Sequence, residues 1–134
     1  MKKGLLKAAV FAGFALATAA ANADVAVIVS AKSTATTMTA DDVANIYLGK
    51  STAMKPVDNA TPVRAQFYTQ VAGKDEAQVK AIWSKLVFTG KATPPKELAS
   101  SADVVKAVAA DPNAIGYVDK ASVDSSVKVV YEVK

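Results

Sequence analysis

"KPVDNATPVRAQFY", residues 55–68, reads as a strand, a turn and a helix start within fourteen residues. A short apolar step at Val57 meets Asp58 and Asn59, then the pair Thr61-Pro62. Apolar residues Val63, Phe67 and Val71 then recur at every fourth position. That recurrence puts them on one face of a helix. The spacing predicts Thr61 as N-cap and Pro62 at the first helical position, where its missing N–H leaves nothing unsatisfied. Gly73 suits the left-handed stop. The tip of such a turn aims backbone N–H groups outward beside the cation of Arg64, as a small-anion site would. The same residues also read as a helix start alone, with Arg64 paired to Asp58 or solvated.

Upstream, "VAVIVS" (25–30) is apolar on both faces and predicts a central, covered strand. A polar loop, "AKSTATT", follows. "TADDVANIYLGK" (39–50) predicts a helix with Thr39 as N-cap and Asp41 and Asp42 in the first turn. Val43, Ile46 and Tyr47 form its apolar face, and Gly49 its stop. Downstream, "DEAQVKAIWSKLVF" (75–88) carries a capping-box spacing at Asp75 and Gln78. Its stripe of Val79, Ile82, Trp83, Leu86 and Val87 is expected to face the core, with Trp83 mostly buried. Gly90 and Pro94-Pro95 predict a loop over "TGKATPPKEL" (89–98). "SSADVVKAVAA" predicts a helix capped at Ser100 or Ser101, with Val104, Val105 and Val108 inward. A turn at 111–113 leads to a strand over 114–118, and "VKVVYEV" gives a last strand at 127–133. Strands alternating with helices indicate an α/β or α+β layer fold with crossovers.

The opening "MKKGLLKAAVFAGFALATAAANA" (1–23) places Lys2, Lys3 and Lys7 before an apolar run that closes on Ala21-Asn22-Ala23. This is the pattern of a secretory signal cleaved after Ala23, so residues 24–134 are expected as a single periplasmic domain. The run is shorter than the roughly 18–20 residues that a spanning helix needs. Without the three lysines, 16 basic residues fall to 13 against 12 acidic ones. A balance of +1 with scattered lysines gives no nucleic-acid face. The chain contains neither Cys nor His. Disulfides and Ser-His or Cys-His nucleophilic catalysis are thereby excluded, and only carboxylates are left as metal ligands. A non-enzymatic protein without metal or cofactor is the expectation. "GKST" (49–52) has Ala44 where a P-loop has its first glycine. "DPNAIGYVDKAS" (111–122) lacks calcium ligands at Ile115 and Ser122.

"MTADDVANIYLGK", "PVDNATPVRAQFY", "AIWSKLVFTGKATPP" and "PNAIGYV", in this order, resemble the phosphate-type substrate-binding proteins of ABC transporters. The similarity covers nearly all of 25–133 and is greatest to a short, single-lobe branch. It implies an α/β single lobe of the type 2 periplasmic-binding-protein fold, a small mixed sheet flanked by helices. In two-lobed members the matching turn reads Arg-x-Asp-x-Ser-Gly-Thr. Laid on it, Val57 stands at the arginine, Asn59 at the aspartate, Thr61 at the serine and Pro62 at the glycine. The anion-binding set this leaves is Asp58, Asn59, Thr61, the Val63 N–H and Arg64, with Asp58 accepting the proton of a protonated phosphate. The resemblance implies an exported small-anion (phosphate-type) binding protein with a membrane transporter, sensor or porin as partner. The alternative is a periplasmic protein–protein interaction module that keeps the lobe as scaffold without tight ligand binding. One lobe leaves a ligand open to water on one side, which weakens charged contacts. Weak binding by a monomer, or a homodimer paired through residues 58–64, is therefore expected.

Overall fold

Alternate residues of one strand feed two separate cores. Strand β1 (Val25–Ser30) is buried along its whole length. Val25, Val27 and Val29 join one apolar cluster, whereas Ala26 and Ile28 join another on the opposite face. This computed structural model describes residues 24–133, so the expected signal segment 1–23, with its expected cleavage after Ala23, lies outside the described residues. Among those described, five strands form one sheet in the order β3-β2-β4-β1-β5, counting β2 (Lys55–Asn59), β3 (Lys96–Leu98), β4 (Ala114–Asp119) and β5 (Val127–Val133). β1 runs antiparallel to β4 and β5, while β2 runs parallel to β3 and β4. The sheet is mixed, and β1 is interior, as its two apolar faces require.

Helix α1 (Ala40–Tyr47) starts at a full capping box between Thr39 and Asp42 and buries Val43, Ile46 and Tyr47. Helix α2 (Val63–Phe67) continues through one wide π turn, Tyr68–Ala72, to Gly73. Both pack on the β1 face that carries Val25, Val27 and Val29. Helix α4 (Ser101–Ala109), capped by Ser100, covers the other face with Val104, Val105 and Val108. It approaches β4 closely at Gly116, where a Cβ would lie 2.7 Å from Val104 Cγ1 and 2.8 Å from Val108 Cγ2.

Three expectations are corrected. Thr61 is not a side-chain cap: the helix begins at Val63, and Pro62 occupies the cap position with helical angles (φ −57°, ψ −19°). A backbone bond from Arg64 N–H to the Thr61 carbonyl (3.0 Å) closes the first turn instead. Pro62 brings no N–H that would need a cap. The stretch 89–98 is not all loop, because Lys96–Leu98 pairs with Val57–Asn59 as β3. Backbone pairing at the β2 edge outweighs the two prolines just before it.

The third correction concerns helix α3 (Glu76–Phe88), which keeps its Asp75–Gln78 capping box but buries only Val79. Ile82, Trp83 and Leu86 are half-buried, while Val87 is 44% and Phe88 89% exposed. The helix leans on the end of α1 rather than lying on the sheet. Trp83 donates its indole N–H to the Tyr47 carbonyl (2.7 Å), and Leu86 sits over Gly49. Gly49 has φ +76°, and a Cβ there would fall 2.3 Å from Leu86 Cδ1, so both the turn and the contact call for glycine.

Two outcomes test this packing by urea denaturation. Gly116→Ala should cost about 1–3 kcal/mol by forcing Val104 and Val108 apart. Phe88→Ala should change stability by less than about 0.5 kcal/mol, as an exposed position does.

Candidate functional site

β2 ends in two polar residues that the fold draws inside. Asn59 is fully buried and Asp58 nearly so. The β2–β4 ladder pairs Lys55 with Ala114 and Pro56 with Ile115, and side chains take over beyond it. The Tyr47 hydroxyl shares its proton between the carbonyls of Val57 (2.8 Å) and Ile115 (3.0 Å). Asn59 Nδ2 donates to the Tyr117 carbonyl (2.9 Å) and to Ser101 Oγ (3.1 Å) at the start of α4.

The Asp58 carboxylate is the centre of the site. Its Oδ1 accepts from Asn59 N–H (3.0 Å), from the Tyr68 hydroxyl (2.9 Å) and, in a short bond, from the Tyr117 hydroxyl. Its Oδ2 faces Arg64 Nη1 at 3.3 Å. The Tyr117 ring stacks on Phe67 at 3.9 Å and meets Tyr47 edge-on at 5.5 Å. This packing fixes where its hydroxyl points. Burial, with the nearby Asp58 charge, pushes the Tyr47, Tyr68 and Tyr117 phenols well above their ordinary value. Tyr68 and Tyr117 therefore remain proton donors to Asp58 at every physiological pH.

Arg64 is held by three carboxylates. Nε donates to Glu76 at 2.9 Å, and Nη1 contacts both Asp58 and, in a short pair, Glu97. Partial burial works against its charge, but bonds to Glu97 and Glu76 and the Asp58 charge outweigh this and raise its pKa. A cavity of about 400 Å³ opens here, lined by Asp58, Arg64, Tyr68, Glu76, Trp83 and Glu97 among others. Arg64 and Lys80 against three carboxylates leave the cavity with a small negative excess.

The anion-binding set read from the sequence meets this geometry unevenly. Asp58 and Arg64 share the cavity and pair with one another. Val63 opens the helix and packs partly on the core. Asn59 and Thr61 each keep a buried oxygen, Oδ1 and Oγ1, without a hydrogen-bond partner among the described residues. Sequence reasoning missed Tyr68, Tyr117, Glu76 and Glu97. Tyr117 lies within the quoted "PNAIGYV", and a polar ring in an otherwise apolar strand was its one signal. Glu76 and Glu97 reach Arg64 from 12 and 33 residues away. No local pattern marks them.

The network makes stability depend on pH at the alkaline end. A phenol whose folded pKa is raised contributes stability in full below its unfolded pKa and loses it as pH rises further. Above about pH 10 each such tyrosine should steepen the fall by about 1.4 kcal/mol per pH unit. Denaturation at a series of alkaline pH values should show this, and Tyr117→Phe should flatten the slope. Asp58→Ala should cost about 3–5 kcal/mol, as breaking a buried charged pair does, whereas a loss below about 1 kcal/mol would mean that the site is held by other contacts.

No protein-family model matches the sequence, and no curated protein matches it. Solved structures do match. An ABC-type phosphate transport receptor from Vibrio cholerae superposes with a TM-score of 0.62 at 19% identity, over 81% of this chain and 46% of its own. A phosphate ABC transporter substrate-binding protein from Clostridium perfringens, solved with bound phosphate, gives 0.64 at 21% identity, over 81% and 45%. PstS from Borrelia burgdorferi gives 0.57 at 14% identity, over 81% and 47%. The chain spans about half the length of each of these structures. It has the fold of the matched half of these phosphate-transport proteins: one periplasmic-binding-type lobe, with its own mixed sheet and helices.

Proposed function

We propose that residues 24–134 form an exported, non-enzymatic binding lobe that takes a small oxyanion, phosphate first, at Asp58, Asn59, Thr61, Val63 and Arg64. The signal segment 1–23 would deliver it to the periplasm, where a membrane transporter, sensor or porin is the partner class. The observation that carries this reading is that Arg64 lines a cavity at the end of β2, in a lobe of the phosphate-receptor fold; its pair with Asp58 is equally what a helix start alone would show. Asn59 Oδ1 and Thr61 Oγ1 are an unpartnered acceptor and donor, but both are buried and neither residue lines the cavity, so they reach an anion only if the turn opens.

The anion competes with Glu76 and Glu97 for Arg64. Both glutamates are about half exposed, and such pairs contribute only about 0–1 kcal/mol each, so water can take them over. Asp58 stays, held by its tyrosines. The expected affinity is weak, with Kd on the order of 1 mM.

A second reading is favoured by one observation, the closed set of carboxylates on Arg64. On that reading the lobe is a scaffold and its partner is a protein.

Phosphate titration followed by Trp83 fluorescence separates the two, because Trp83 lines the same cavity as Arg64. The anion reading expects saturation in the millimolar range. Glu76→Gln with Glu97→Gln should tighten binding roughly tenfold, and Arg64→Ala should weaken it roughly 10–100-fold. If neither the parent chain nor the double variant saturates, the anion reading fails and the scaffold reading stands.

A further inference from the structure

Trp83, Pro94 and Pro95 form a wall with a cavity on each side. On one side is the cavity of Arg64, with its small negative excess. On the other is a larger groove of about 540 Å³, bounded by the end of α1, the start of β2 and the segment 91–96. Its size falls within the roughly 300–1,000 Å³ of small-molecule sites. Ile46, Met54 and Val57 contribute apolar surface beside Trp83 and the two prolines.

The charge of this groove is opposite to that of its neighbour. Lys55, Lys91 and Lys96 line it against a single carboxylate, Asp111. Lys55 is paired with Asp111 at 2.7 Å. Lys91 and Lys96 have no ion pair among the described residues. A mostly apolar lining, with Ser51, Thr52 and Thr93 at its polar part and two uncommitted ammonium groups, selects by exclusion. A cation is repelled, a wholly polar anion leaves the lining wet, and a neutral apolar molecule leaves both lysines unused.

We propose that this groove is a second ligand site, for a small amphipathic carboxylate. The acyl or aryl body lies against Met54, Trp83 and the prolines, and the carboxylate meets Lys91 and Lys96. This site stands apart from the 58–64 turn and does not rest on the anion reading.

Calorimetry on the folded chain with a series of straight-chain carboxylates, from butanoate to octanoate and below micelle formation, tests it. Affinity should rise about three- to fourfold for each methylene buried. Octanol and octylamine should bind at least roughly fivefold more weakly than octanoate. The exposed pair Lys91→Gln and Lys96→Gln should bring octanoate down to the level of octanol, with the circular dichroism of the chain unchanged. Millimolar phosphate should not compete with octanoate, which keeps this result separate from that of the 58–64 site. Equal binding of octanol and octanoate, no effect of the double lysine variant, or no saturable heat with octanoate would each overturn the proposal.

Discussion

A carboxylate taken out of water must be matched by donors, and in this chain that carboxylate is Asp58. Its two oxygens collect a backbone N–H, two tyrosine hydroxyls and a guanidinium. The donors come from three elements: the Asn59 N–H from β2, Tyr117 from β4, and Arg64 and Tyr68 from the first turn of α2 and the π turn that continues it. Through Arg64 the same charge reaches Glu76 at the start of α3 and Glu97 on β3. Five elements are oriented by one buried charge. Burying it unmatched would cost far more than any of the single contacts returns.

The aromatic rings serve that constraint as much as they fill the core. Phe67 stacks on Tyr117 and meets Tyr47 edge-on, so packing as well as hydrogen bonds holds these two phenols. Tyr47 then closes the gap where β2 and β4 leave their ladder. The π turn at Tyr68–Ala72 lies in the same region and buries Tyr68, whose hydroxyl reaches Asp58. Widened turns of this kind are frequent at functional sites.

Two cavities of opposite charge share the wall made by Trp83 and the Pro94-Pro95 pair. The wall stands because α3 packs on Gly49 and on the Tyr47 carbonyl instead of on the sheet. That geometry also leaves Val87 and Phe88 in water. A helix with an apolar stripe buries only the part that finds a facing surface. Here the surface ends near Leu86.

The sequence by itself determined the elements that local chemistry controls. β1 is covered on both sides because six consecutive residues are suited to it, and α1 starts at Thr39 because a capping box is complete within four residues. The stops at Gly49 and Gly73, a helix cap at Ser100 or Ser101, which falls on Ser100, and the strands expected at 114–118 and 127–133 belong to the same class. The place of Asp58 and Arg64 at one turn was legible too, since six residues separate them. Only the tertiary structure decided what those two side chains face. The hydroxyls of Tyr68 and Tyr117, and the carboxylates of Glu76 and Glu97, arrive from 10, 59, 18 and 39 residues along the chain from Asp58. Charge pairing over such separations leaves no periodicity in the sequence. Likewise, the stripe on α3 announced an apolar face but not the extent of its partner surface, because burial is a property of two surfaces and the sequence of a helix describes one.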